Sequence, residues 1–215
     1  MSEKEMDRML RIKTAGTLEV LNQSVHYNRY EATPYIALDE LFKHYEITKD
    51  NRIVDVGCGK GRLSFYIHNH FQVPTIGIEM SGKLYQDALE NLQSYDKTGK
   101  KSKGLITFER CLAEDYKIDS RDDVFYFFNP FSEQIFMKFV EHILDSVDEH
   151  KRSIDLILYY PTSAYLLFLE TRTTFEFLRE IKVPELYEQN ENERFMIFHL
   201  PLMKLKIERE EPNTN

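Results

Sequence analysis

Short apolar runs alternate with amphipathic segments along most of the chain. Five of these runs are rich in β-branched and aromatic residues, and segments whose apolar residues have helical spacing lie between several of them. The runs lie at residues 52–56, 74–79, 105–110, 124–128 and 154–160. Because strands that alternate with helices build parallel sheets, this order predicts an α/β fold with helices on both faces of the sheet.

The fourth and the last apolar segments refine this prediction. The run at residues 124–128 has no polar alternation, which is typical of a strand that helices cover on both faces. Two extended segments follow at residues 174–183 and 194–200, joined by a polar connection. They predict a C-terminal antiparallel hairpin, which brings the sheet to seven mostly parallel strands.

Helical spacing also marks the N-terminal part of the chain. Residues 1–25 predict one or two short amphipathic helices. Thr33 followed by Pro34 predicts a second helix start, with the threonine as N-cap and the proline at the first helical position. We therefore divide the chain into an N-terminal helical cap at residues 1–48, an α/β domain at residues 49–205, and a tail at residues 206–215 that we expect to be disordered.

A glycine-rich loop follows the first apolar run. Gly57, Gly59 and Gly61 occupy alternate positions between the predicted strand and a helical segment at residues 63–70. Glycine lets a ligand approach main-chain N–H groups without a Cβ in the way. A dinucleotide fingerprint would place its third glycine at position 62, where the sequence has Arg62, so this spacing disfavours a nicotinamide dinucleotide.

Segment 55–61 resembles the first motif of class I S-adenosylmethionine (SAM) dependent methyltransferases, D/E-x-G-x-G-x-G. The resemblance implies a Rossmann-like fold, SAM as cofactor and methyl transfer as the activity. It also implies that Asp55 helps to anchor the methionine part of SAM while the cofactor lies across the loop. The further candidate cofactor contacts in the loop are Gly57, Cys58, Gly59, Gly61 and Arg62.

An acidic residue ends the second apolar run. Glu79 lies 18 residues after Gly61, close to the interval expected for an acid that binds ribose hydroxyls. Segment 77–80 resembles the second methyltransferase motif, which implies that Met80 lies against the adenine ring. At the exit of the third run, either the main-chain N–H of Ala113 or the carboxylate of Glu114 is a candidate for the adenine edge.

The fourth run ends in Asn129, Pro130 and Phe131. This sequence is similar to the (N/D)-P-P-(Y/F) motif of enzymes that methylate exocyclic or amide nitrogens, but it is one residue shorter. The resemblance implies that Asn129 lies near the cofactor and that the three residues hold a planar acceptor through a side-chain oxygen, a carbonyl and a stacked ring. The shorter motif leaves nitrogen, oxygen and carbon open as the acceptor atom.

Aromatic and polar residues precede the first predicted strand. In the family that the chain resembles, such a segment covers the cofactor or substrate pocket, and Tyr27, Tyr30, Thr33 and Tyr35 are candidates for this lid. Ordinary helix packing explains the same residues equally well. Both interpretations stay open.

Composition limits the other possibilities. The two cysteines and the histidines form no metal-ligand spacing, so no metal site is predicted. No apolar run reaches the length of a membrane span and the N-terminus lacks the form of a signal peptide, so we expect a cytoplasmic protein without a membrane partner. The hydrophobic fraction of 42% is ordinary for a globular domain.

The net charge of −8 argues against binding of duplex DNA, although a local basic patch would suffice for RNA. Lys97, Lys100, Lys101 and Lys103 are one such patch, but a solvated surface loop explains them better. The sequence therefore predicts a SAM-dependent methyltransferase whose acceptor is a small molecule, a protein or RNA, with the oligomeric state open. The alternatives are a non-catalytic SAM-binding regulatory or scaffold protein and a nicotinamide-dependent Rossmann oxidoreductase.

Overall fold

A seven-stranded sheet forms the centre of the computed structural model, which describes residues 2–16, 30–100 and 102–202, without the side chains of residues 98 and 100. The strands are β1 (Ile53–Val56), β2 (Thr75–Ile78), β3 (Ile106–Glu109), β4 (Val124–Phe128), β5 (Ile154–Tyr159), β6 (Glu176–Lys182) and β7 (Arg194–Leu200). Their order across the sheet is β3-β2-β1-β4-β5-β7-β6.

Strand β7 alone runs against the direction of the others. Strands β1 to β5 pair in parallel, and β7 pairs antiparallel with both β5 and β6. The predicted fold is confirmed, with the last strand inserted between β5 and the edge strand β6. The strand order reverses between β1 and β4, and in open α/β sheets ligands bind at the carboxyl ends of the strands beside such a reversal.

Helices cover both faces of the sheet. They are α1 (Glu3–Leu10), α2 (Tyr35–His44), α3 (Arg62–His70), α4 (Gly82–Tyr95), α5 (Glu133–Glu149) and α6 (Ser163–Arg172). Helices α1 to α4 bury apolar residues in one core layer, and α5 and α6 do so in the other. The side chains of residues 124–127 in β4 are buried between the layers, as the uninterrupted apolar run predicts.

The start of α2 differs from the prediction. The helix begins at Tyr35, Pro34 holds the N-cap position, and the threonine side chain does not cap the helix. The hydroxyl of Thr33 instead hydrogen-bonds with that of Tyr126 at 2.7 Å. A carboxylate oxygen of Glu3 accepts the N–H of Tyr35 at 2.9 Å. A residue of α1 therefore satisfies one of the N–H groups that have no partner within α2.

Some predictions lie outside the described residues. These are the second part of the N-terminal helical pattern, the lid residue Tyr27 and the disordered tail at residues 206–215. Within the described ranges, no helix has the length and apolar character needed to cross a bilayer.

Candidate functional site

The glycine loop joins the carboxyl end of β1 to α3 at the reversal of strand order. The main-chain N–H groups of Gly57 and Cys58 both donate to the carbonyl of Ile78, at 2.9 and 3.0 Å. A Cβ at Gly57 would lie 2.6 Å from the Cβ of Pro130. The loop after β1 and the segment after β4 are therefore in contact, so the structure brings two of the predicted motifs together.

The ring of Tyr30 covers the middle of the loop. A Cβ at Gly59, whose φ is +56°, would overlap this ring. The buried ring is held by its hydroxyl, which donates to the carbonyl of Thr14 at 2.8 Å, and the ammonium of Lys60 lies 5.2 Å from its centroid. Packing against Tyr30 by itself requires glycine at position 59, so loss of ligand binding in a Gly59 variant would not identify a cofactor contact.

Two buried carboxylates lie beside the loop. Asp55 is 5% exposed and Glu79 is 7% exposed. No donor among the described residues hydrogen-bonds to Asp55, and burial, together with the charge of Glu79, raises the pKa of Asp55 to about 8. Burying a carboxylate without a partner is costly, so a cationic group at this point would be stabilised.

Glu79 links the loop to α4. One of its carboxylate oxygens accepts the N–H of Gly59 at 2.9 Å, and the other accepts the N–H of Ser81 at 2.8 Å. Burial raises the pKa of this carboxyl against the opposing effect of the N–H donors. Since each carboxylate oxygen has a second lone pair, both oxygens can also accept hydrogen bonds from ligand hydroxyls.

The predicted acceptor residues after β4 have different surroundings. Asn129 directly follows the strand with φ +38°, a strained conformation of the kind that clusters at functional sites. The ring of Phe131 is 2% exposed and packs against Phe127, with 6.3 Å between the centroids. The predicted stacking role therefore does not fit this structure, because the core uses the ring of Phe131.

Apolar groups lie at the carboxyl ends of β2 and β3. Met80 is partly exposed just after Glu79, and Leu112 is 42% exposed at the exit of β3. The buried Ala113 begins a short 3₁₀ turn, and Glu114 follows it at a partly exposed position. Partly exposed apolar side chains beside polar groups suit a flat heteroaromatic ring.

Arg62 holds the N-terminal segment. Its guanidinium is 4% exposed, forms an ion pair with Glu3, and donates to the hydroxyl of Thr14 at 2.7 Å and to the carbonyl of Thr33 at 3.0 Å. It also lies 4.3 Å from the ring centroid of Tyr35. The predicted cofactor contact of Arg62 does not fit this geometry, because its charge is already paired within the chain.

Asp7 is the second anchor of the N-terminal segment. Its buried carboxylate accepts hydrogen bonds from the N–H and the hydroxyl of Thr14, at 2.6 and 2.7 Å, and from the hydroxyl of Tyr35 at 2.7 Å. The described lid residues therefore divide into two roles. Tyr30 lies over the loop, whereas Thr33 and Tyr35 fix the segment to α1 and β4.

Tyr160 is not among the site residues predicted from the sequence. This residue follows β5 as Asn129 follows the neighbouring strand β4, and it has φ +52°. Its hydroxyl oxygen accepts a hydrogen bond from the amide nitrogen of Asn190 at 2.7 Å, and the centroid of its ring lies 6.3 Å from that of Phe128. Two strained residues thus end two adjacent parallel strands, and the only signal in the sequence is their position after a buried run.

Comparison with solved structures identifies the fold. A SAM-dependent methyltransferase from Methanosarcina mazei superposes with a TM-score of 0.57 at 18% identity, over 75% of this chain and 98% of that one. The fold is that of SAM-dependent methyltransferases. A human methyltransferase 10 domain containing protein covers 93% of this chain and 94% of its own at 14% identity and a TM-score of 0.55.

A third similar structure contains a ligand. The RNA methyltransferase from Salinibacter ruber, in complex with S-adenosyl-L-homocysteine, has 13% identity and a TM-score of 0.53, over 86% of this chain and 98% of that one. At the level of sequence, no protein-family model and no curated protein matches the chain. These similarities establish the methyltransferase fold.

Proposed function

We propose that this protein transfers a methyl group from SAM to an acceptor bound at the carboxyl ends of β4 and β5. The observation that carries the proposal is the buried carboxylate of Asp55, which has no hydrogen-bond partner among the described residues and lies beside a glycine loop on a methyltransferase fold. SAM carries an α-ammonium and a sulfonium group. A cationic ligand would compensate the charge of Asp55 and Glu79.

The described residues fit the parts of this cofactor. Asp55 would bind the methionine part, and Glu79 would accept the ribose hydroxyls while the N–H groups of Gly59 and Ser81 hold it in place. Met80 and Leu112 would contact the adenine ring from the ends of neighbouring strands. The similar structure from Salinibacter ruber, solved with S-adenosyl-L-homocysteine, supports this choice of cofactor.

When bound, SAM would supply the methyl group to an acceptor lone pair, with S-adenosylhomocysteine as the leaving group. The contribution of the chain is positioning and exclusion of water. Asn129 would orient the acceptor from the end of β4, where Pro130 contacts the loop. Tyr30 would close the loop side of the site, since its ring already covers Gly59.

Isothermal titration with S-adenosylhomocysteine, with NADH as the comparison, tests the cofactor. We expect micromolar binding of S-adenosylhomocysteine and none of NADH. Binding of NADH alone would support the oxidoreductase alternative, and binding of neither would contradict the cofactor assignment.

Methyl transfer needs its own measurement. Radiolabelled SAM, incubated with the protein and fractionated cell extract, should label one fraction in a protein-dependent way. Tight binding of S-adenosylhomocysteine without labelling of small-molecule, protein or RNA fractions would contradict the enzymatic assignment and favour a SAM-binding regulatory protein.

A further inference from the structure

A basic cleft of about 580 Å³ opens between the end of α1 and α4. The positive side chains that line it are Arg8, Arg11, Lys13 and Lys60. None of the four forms an ion pair within the described part of the chain. The cleft also contains Asp87 and Glu90, but Asp87 is paired with Lys83. Positive charge is therefore in excess here, on a protein whose net charge is −8.

One buried residue holds the main chain of two of these lysines. The side-chain oxygen of Asn91 in α4 accepts the N–H of Lys13 at 2.8 Å, and its amide nitrogen donates to the carbonyl of Lys60 at 3.1 Å. The main chain at both lysines is thus held against the same point of α4. A ligand would meet a cleft whose backbone is already ordered, which lowers the entropic cost of binding.

Arg11 occupies a position where glycine is usual. It ends α1 with φ +54° and ψ +42°, and its N–H donates to the carbonyls of Arg8 and Asp7. Helices commonly end in this left-handed conformation, and glycine adopts it without the steric penalty of a side chain. The chain keeps a long cationic side chain at this strained position, and strain of this kind is found at ligand contacts.

The cleft adjoins the glycine loop through Lys60. Lys60 belongs to the glycine loop, directly after Gly59, and its ammonium lies over the ring of Tyr30. A ligand in the cleft therefore lies beside the loop that we assign to SAM.

We propose that the cleft binds phosphodiester groups of a single-stranded RNA acceptor, an inference that rests on the proposed methyl transfer. Arginine guanidinium groups bind phosphate oxygens through paired hydrogen bonds. In this proposal, successive phosphates of the RNA occupy the cleft while one unpaired base lies at the carboxyl ends of the strands. Because the net charge of the chain is −8, a polyanion is attracted only where positive side chains are in excess, as they are in this cleft.

Fluorescence anisotropy with a 20-nucleotide fluorescein-labelled polyuridylate tests the proposal, with and without saturating S-adenosylhomocysteine. For single strands, the logarithm of the affinity falls with the logarithm of the salt concentration by about 0.7 per neutralised phosphate. If each of the four cations neutralises one phosphate, the affinity should therefore fall about 50-fold between 50 and 200 mM salt. Arg11→Gly combined with Lys13→Gln leaves two such contacts, so the same change in salt should weaken binding only about sevenfold.

The matched control is Lys49→Gln with Lys138→Gln. Both lysines are exposed and lie outside the cleft, so this variant loses the same charge and should keep the wild-type salt dependence. Glycine at position 11 relieves the backbone strain, so we expect the cleft variant to unfold at the same or a higher temperature than the wild type. Weaker RNA binding in a protein of unreduced stability would exclude a merely structural role.

Three results would overturn the proposal. These are no RNA binding at 50 mM salt, equal salt dependence in the cleft variant and the control, and equally tight binding of uridine monophosphate or polyglutamate. The last result would assign the cleft to free phosphates or to acidic peptides. The titration with S-adenosylhomocysteine is independent of the cleft, so failure of the proposed cofactor is distinguishable from failure of the RNA site.

Discussion

Binding of the cofactor should release a proton from Asp55. In the free protein, burial and the charge of Glu79 raise the pKa of Asp55 to about 8, so this carboxyl is mostly protonated at pH 7. The ammonium group of S-adenosylhomocysteine favours the ionised form and should lower that pKa. From the value of about 8, binding at pH 7 should release about 0.9 proton.

The magnitude follows from the ionised fraction. If only ionised Asp55 binds the ammonium, affinity for S-adenosylhomocysteine should rise roughly 20-fold between pH 6 and 7.5, or about 1.8 kcal/mol. At higher pH the ligand loses its own ammonium proton, and this loss opposes a further gain in affinity. The free energy of unfolding should change with pH in the opposite direction, because the folded chain keeps a proton on Asp55 that the unfolded chain loses near pH 4. The share of stability that Asp55 contributes should therefore fall between about pH 4 and 8.

Titration calorimetry in buffers of different ionisation enthalpy counts the released protons. The wild type is compared with Asp55→Asn, which keeps the shape of the side chain and cannot ionise. Asp145→Asn, at an exposed position on α5, controls for the change in net charge. We expect Asp55→Asn to bind more weakly at pH 7.5 and to lose the pH dependence. A wild-type affinity that is flat from pH 6 to 7.5, or an unchanged slope in Asp55→Asn, would refute the assignment.

Two further substitutions separate chemistry from folding. Asn129→Ala should leave the affinity for S-adenosylhomocysteine nearly unchanged. It should reduce the rate of methyl transfer roughly 100-fold, which is the typical effect of removing one oriented polar group from an active site. An unchanged rate would show that Asn129 has no role in the reaction. Arg62→Met should lower the free energy of unfolding by about 3–5 kcal/mol, since it leaves Glu3 and Asp7 without their buried cation. Denaturant unfolding measures this loss, and a change below about 1 kcal/mol would show that the N-terminal segment is held mainly by apolar contacts.

The order of strands and helices followed from the sequence by itself. Apolar periodicity and glycine chemistry are local properties, and they identified the strand, loop and helix around residues 53–70. The same reasoning assigned Glu79 to the end of the second strand. The run at residues 124–128 predicted a central strand for a similar reason, because burial on both faces removes polar alternation.

Tertiary structure decided how individual side chains are used. Arg62 pairs with Glu3, 59 positions earlier in the chain, and Phe131 packs in the core instead of facing an acceptor. Tyr30 covers Gly59, and Lys60 lines one cleft with Arg11 and Lys13, although it lies far from both in sequence. Local patterns determine which elements form. Which side chains meet depends on how these elements pack, and packing joins residues whose separation in sequence carries no periodic signal.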